Sequence, residues 1–190
     1  MIDRVIIEPA LEPIDLMEAR QYAGVSDYSD ACDMKLEGFI KSAREWVENE
    51  LRIDLMQRTR LITGRGFDKI SIKLNKKASA VNFVKYINAD GVLTTLDAGF
   101  YLVDTIGGHI EPAYMGTWPQ AQDVPNAVQI EYISGFEKAS DIPQSIKQAL
   151  LDTVRQWYNG LEGQAWQISP DRNNTMAILA QYVDMRDYYV

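Results

Sequence analysis

The chain has 190 residues, 46% of them hydrophobic and 24% charged, with a formal net charge of -8, one cysteine and one histidine. The acidic balance excludes a protein whose affinity comes from lysine and arginine contacts to phosphate. The single cysteine, Cys32, excludes an internal disulfide and a thiolate zinc site. No run approaches the roughly 18 apolar residues of a membrane span.

The first nine residues carry no apolar h-region, so a chain that stays in the cytosol where it is made is the expectation. Residues 14–24 read as a short helix. Asp15 caps it, Glu18 completes a capping box and Gly24 suits the left-handed stop. After a turn, residues 30–53 carry the longest helical pattern, with Leu36, Phe39, Ile40, Ala43, Trp46, Val47 and Leu51 at steps of three and four. Lys35, Lys41, Arg44, Glu45, Glu48 and Glu50 lie mostly off that stripe. The acidic group Glu45, Glu48 and Glu50 reads as a solvated face, and Cys32 as a small half-buried residue.

The period then changes. Residues 58–63 are strand-like, and Gly64-Arg65-Gly66 is a turn that lacks the residues of a P-loop or a dinucleotide fingerprint. Residues 69–74 alternate, with Ile70, Ile72 and Leu74 on one side. Residues 81–88 form a strand that meets Ala89-Asp90-Gly91, a hairpin signal with positive φ, and residues 92–96 return. Two short strands, 100–104 and 109–111, flank Gly107-Gly108. A loop over 112–125 carries Trp118-Pro119, and residues 127–134 are the last strand. Residues 57–134 thus make a small antiparallel β unit between two helices.

The second of those helices spans residues 143–159. Pro143 sits in its first turn, and Ile146, Ala149, Leu150, Val154, Trp157 and Tyr158 form one apolar stripe. It is the natural mate of the 30–53 helix, giving a helix–helix core of Leu36, Phe39, Ile40, Ala43, Trp46 and Val47 against Ile146, Ala149, Leu150, Val154 and Trp157. A last helix is expected over 175–186. Residues 165–190 are expected to be mobile in a free subunit and to order against a neighbour. The fold class is α+β, mainly α: a helical bundle body with an inserted antiparallel β unit, in one domain over 1–190.

The catalytic inventory is thin. His109 lies in a strand between Gly108 and Ile110, and no nucleophile elbow or metal-ligand spacing occurs. No cofactor is expected. Tyrosine and tryptophan bury much area at low entropy cost, which makes Trp118, Trp166, Tyr188 and Tyr189 candidate interface anchors.

The order of elements resembles the tailed-phage head–tail connector proteins of the gp6-like and gp8-like adaptor family. The carrying residues begin with Glu12-Pro13-Ile14-Asp15-Leu16-Met17-Glu18-Ala19 and Ile40-Lys41-Ser42-Ala43-Arg44-Glu45-Trp46-Val47-Glu48. They continue with Tyr86-Ile87-Asn88-Ala89-Asp90-Gly91, Tyr101-Leu102-Val103-Asp104, Trp118-Pro119 and Gly135-Phe136. They close with Ile142-Pro143-Gln144-Ser145-Ile146-Lys147-Gln148-Ala149 and Trp157-Tyr158-Asn159. After Asn159 the family often continues Arg-Glu, where this chain has Gly160-Leu161-Glu162. The resemblance implies a non-enzymatic subunit of a virion neck, made in the host cytoplasm during assembly. It would form a ring of about twelve copies beneath the portal protein. The ring would meet a stopper or tail-completion protein, and double-stranded DNA would pass through without specific binding. A different neck or tail-end structural protein, and a carboxylate-based hydrolase, are the rival readings.

Overall fold

The computed structural model of the protein describes residues 1–67, 70–75, 77–160 and 172–182. Helices and antiparallel sheets are both present, so the fold class is α+β, at 37% helix and 28% strand. The chain divides into two compact units. One comprises Met1–Ala10 and Met56–Phe136, and the other Leu11–Leu55 with the chain from Glu137 onward.

The helical unit holds α1 (Leu16–Ala23), α2 (Asp30–Leu51), α3 (Gln144–Gly160) and α4 (Arg172–Leu179), followed by a 3-10 turn at Ala180–Tyr182. Local chemistry sets the ends. The Asp15 carboxylate accepts the Glu18 N–H at 2.7 Å, and Gly24 closes α1 at φ 71. Ser29 caps α2 by accepting the Cys32 N–H through its hydroxyl. The 30–53 expectation overshoots by two residues, because Arg52 adopts φ 54 and its N–H turns back to the Glu48 carbonyl. Pro143 stands just before α3 rather than inside it. Its carbonyl accepts the Ile146 N–H at 3.0 Å, the first bond of the helix.

α3 packs against α1, α2 and α4. Of the expected 175–186 helix, α4 starts three residues earlier and gives way to the 3-10 turn, while residues 183–186 lie outside the described residues. Within residues 172–182 Leu179 is fully buried, and the Ser145 and Tyr182 hydroxyls meet at 2.6 Å; the rest of the 165–190 stretch lies outside the described residues.

Among the described residues the β unit holds eight strands: β1 (Ile2–Ile7), β2 (Arg58–Gly64), β3 (Ile72–Lys73), β4 (Ala78–Ile87), β5 (Leu93–Leu96), β6 (Tyr101–Asp104), β7 (His109–Pro112) and β8 (Val128–Ser134). They form a five-stranded antiparallel sheet in the order β1-β2-β8-β4-β5 and a three-stranded sheet in the order β3-β7-β6. Apolar residues of both sheets share one core, among them Ile62, Ile72, Val84, Ile110, Val128 and Ile130.

Two features depart from the sequence expectation. The sheet is not built by residues 57–134 alone, since the N-terminal segment joins it as β1, pairing Ile2 with Thr63 and Arg4 with Leu61. The alternation over 69–74 yields only two paired residues, and the Leu74 N–H bonds to the Gly108 carbonyl at 2.7 Å, outside any ladder. The β4–β5 hairpin turns over residues 88–92, around the expected Ala89-Asp90-Gly91. The Asn88 side-chain oxygen accepts from the Asp90 and Val92 N–H groups at 3.0 Å each, and only Gly91 takes positive φ, at 79.

Candidate assembly surfaces

Eight of the eleven expected helix-core residues are buried in the helical unit, and three are half-buried. Leu36, Ile40, Ala43 and Val47 of α2 are buried, as are Ile146, Ala149, Leu150 and Val154 of α3. Phe39 and Trp157 are half-buried and meet as tilted rings 6.3 Å apart at 53°. Trp46 is also half-buried, seven residues on from Phe39 along the same helix face.

Sequence periodicity misplaces two charged residues. Arg44 is 2% exposed and Glu48 7% exposed, so neither belongs to a solvated face. The Arg44 guanidinium donates from Nε to Glu12 at 2.8 Å and from Nη1 to Glu48 at 3.0 Å. The other Glu48 oxygen accepts the Leu55 N–H at 2.9 Å. Burial works against the Arg44 charge, but the hydrogen bond to Glu12 and the field of Glu48 outweigh it and raise its pKa. The sequence signal was present: Ile40, Arg44, Val47 and Glu48 share one face, and Arg44 and Glu48 are one helical turn apart. Glu45, by contrast, is exposed.

A second buried cation, Arg20, is held by the Asp27 carbonyl and by Asp33, with the Tyr28 ring 4.4 Å below it. Cys32 is buried, its Sγ 3.5 Å from the Tyr158 hydroxyl.

In the β unit, Trp118 is half-buried. Its ring stacks on Phe67 at 4.6 Å and 5°, its indole N–H donates to the Ile70 carbonyl at 2.8 Å, and it packs on the core. Trp166, Tyr188 and Tyr189 lie outside the described residues. The large apolar side chains most open to water are ones the sequence pattern does not single out: Ile106 at 94%, and Tyr114 and Met115 at 90% each. They occupy a hairpin tip and a loop turn, where periodicity carries no information about burial.

His109 on β7 faces Asp104 on β6 and Lys73 on β3 in register. With Asp3, Ser71 and Ile62 it lines an open cleft of about 470 Å³. The Asp104 carboxylate accepts the Gly107 and Ile106 N–H groups at 2.8 and 2.9 Å, which together with nearby His109 hold its pKa below the usual range. Deeper in, the Tyr132 hydroxyl donates to Asp3 at 2.7 Å and accepts the Asn75 N–H at 3.1 Å. Burial and the Asp3 charge push that phenol well above its ordinary value. Among the described residues no group of histidine, cysteine and carboxylates is placed to hold a metal ion, and no helix is long and apolar enough to cross a membrane.

Neither a protein-family model nor a curated protein matches the chain. Solved structures do. A chain in the neck of an empty gene transfer agent (GTA) particle computed with C6 symmetry is similar over 97% of this chain and 96% of its own, at 19% identity and a TM-score of 0.79. A chain in the virion of a native GTA particle gives 0.77 at 19% identity over the same shares. One in the neck of a native GTA particle computed with C12 symmetry gives 0.72 at 18% identity, again over 97% and 96%. The chain therefore has the fold of a component of these phage-like particles, along nearly its whole length.

Proposed function

We propose that this protein is a structural subunit of the neck of a tailed-phage-type particle, and within the neck a head–tail connector of the adaptor kind. Copies form a ring beneath the portal protein, extend the DNA channel and present a platform to a stopper or tail-completion protein. The carrying observation is the shared fold over 97% of this chain and 96% of a neck chain. The C6 and C12 symmetries of those necks support a ring of identical copies, and cyclic closure is the ordinary way to build one. A net charge of -8 per copy makes such a ring strongly acidic, so double-stranded DNA passes through it without being gripped. On this reading the protein works by contact and not by chemistry. Its place is the virion neck, after synthesis in the host cytoplasm.

The test is deletion of the gene in a particle-producing strain, followed by electron microscopy. Filled heads without tails, restored to tailed particles by the gene in trans, are the expected outcome. Normal tailed particles would reject the reading. A label found only at the tail tip would replace it with a tail-completion role.

A further inference from the structure

Five of the exposed apolar groups of the β unit, Phe100, Leu102, Ile106, Tyr114 and Met115, lie on or beside the β6–β7 hairpin. On β6, Tyr101 and Val103 pack on the core, while Leu102, and Phe100 just before it, are turned outward at 60% and 64% exposure. The Ala113 N–H donates to the Phe100 carbonyl at 2.9 Å, which sets the turn bearing Tyr114 and Met115 beside Phe100. Ile106 ends the stripe at the β6–β7 tip, roughly 15–20 Å from Phe100 at the usual rise per residue.

Met115 adds a second observation. It adopts φ 58 in a turn closed by the Gly116 N–H on the Ala113 carbonyl at 2.7 Å. That region suits glycine or asparagine, and a bulky side chain there is disfavoured. In the free chain the Met115 side chain gains no burial in return.

Charge narrows the occupant. The chain has no lysine or arginine between Lys85 and Lys138, a stretch that exposes Asp90, Asp97, Asp104, Glu111 and Asp123. Arg65 reaches Asp123, and Lys73 stands in register beyond His109, so the stripe itself is flanked mainly by Asp97, Asp104 and Glu111.

We propose that this stripe docks a different protein of the same particle, one whose receiving surface is apolar and rimmed with lysine or arginine. A second copy docked stripe to stripe would set Asp97, Asp104 and Glu111 against the same residues, and DNA phosphates would be repelled. The proposal rests on the neck reading for the particle, while exposure and charge select the surface.

The test places a photo-crosslinking residue, p-benzoylphenylalanine, at position 106 or 115 of the full-length chain in assembling particles. The expected product joins this chain to a different particle protein, through a peptide that contains lysine or arginine. Crosslinks only to a second copy or to DNA, or none from particles that contain the chain, would overturn it. Absence of the chain from purified particles would overturn the neck reading itself, and this proposal with it. A second arm uses variants with the probe at 106. Met115→Gly should leave the melting temperature of the free chain unchanged or higher, because φ 58 suits glycine. It should nevertheless lower the crosslink yield severalfold, as should Glu111→Lys. Unchanged yields from both would overturn the proposal.

Discussion

In the helical unit the most deeply buried polar side chain of size is Arg44, charged and held by Glu48 one turn along the same helix and by Glu12. In the β unit it is Tyr132, kept neutral, with both hydroxyl bonds going to residues more than fifty positions away, Asp3 and Asn75. The difference follows from geometry. A helix brings i and i+4 side chains together, so a buried charge can carry its own counter-ion on the same element. A strand sends successive side chains to opposite faces, so the partner must arrive from elsewhere in the chain. The helical unit therefore depends on side-chain pairs, and the β unit on close approach of distant backbone.

The strongest way to break that contrast is at Gly135. It has φ 98, and a Cβ there would lie 2.3 Å from the Met56 carbonyl oxygen and 2.9 Å from the Gln57 nitrogen, next to the Gln57 N–H bond to the Phe136 carbonyl. No flexible side chain can move aside. Gly135→Ala should cost about 4 kcal/mol or prevent folding, measured by urea denaturation. Wild-type stability in this variant would mean the β unit does not depend on the contact.

Next in size is Arg44→Ala, which removes the counter-charge from buried Glu48 and should cost about 3 kcal/mol. The double variant Arg44→Met with Glu48→Gln keeps an acceptor for the Leu55 N–H and should recover part of the loss. Equal costs for the single and double variants would show that packing, not charge pairing, sets the value.

Tyr132→Phe leaves the Asn75 N–H without its partner and should cost about 1–2 kcal/mol. It also has a pH signature. The folded phenol has a raised pKa, so above the unfolded value of about 10 the unfolded chain releases a proton that the folded chain keeps. Stability is then lost as pH rises past that point. Tyr22, next to Asp152, and Tyr101, through burial, shift the same way, so the variant should flatten the alkaline loss without abolishing it. An unchanged slope between pH 9 and 11 would argue against the buried hydroxyl pair. Smallest is Asp15→Ala, at about 1 kcal/mol, because it removes one cap on the Glu18 N–H, while Asp15→Asn should retain most of that stability.

These residues also show what could be read in advance. The Asp15 cap, the Gly24 stop and the positive φ of Gly91 were legible because each depends on neighbours within a few positions. The β8 alternation was legible because Val128, Ile130 and Tyr132 all face one core. The burial of Arg44 was not, since the apolar periodicity sets it mostly off the stripe and its partner Glu12 stands 32 positions away. The stacking of Trp118 on Phe67 and the exposure of Ile106, Tyr114 and Met115 had no periodic signal at all.

The amino-acid order alone determined the α+β class, the run of helices and strands from α1 to α3, both caps of α1, and an acidic chain unsuited to gripping phosphate. Tertiary structure decided that the first six strand residues close the edge of a sheet beside β2, that the strands divide into five and three, and which charges go inside. The reason is range. Caps and turns are settled by hydrogen bonds between near neighbours, whereas the order β1-β2-β8-β4 and the Glu12 contact to Arg44 depend on segments at least thirty residues apart, whose meeting only the folded chain specifies.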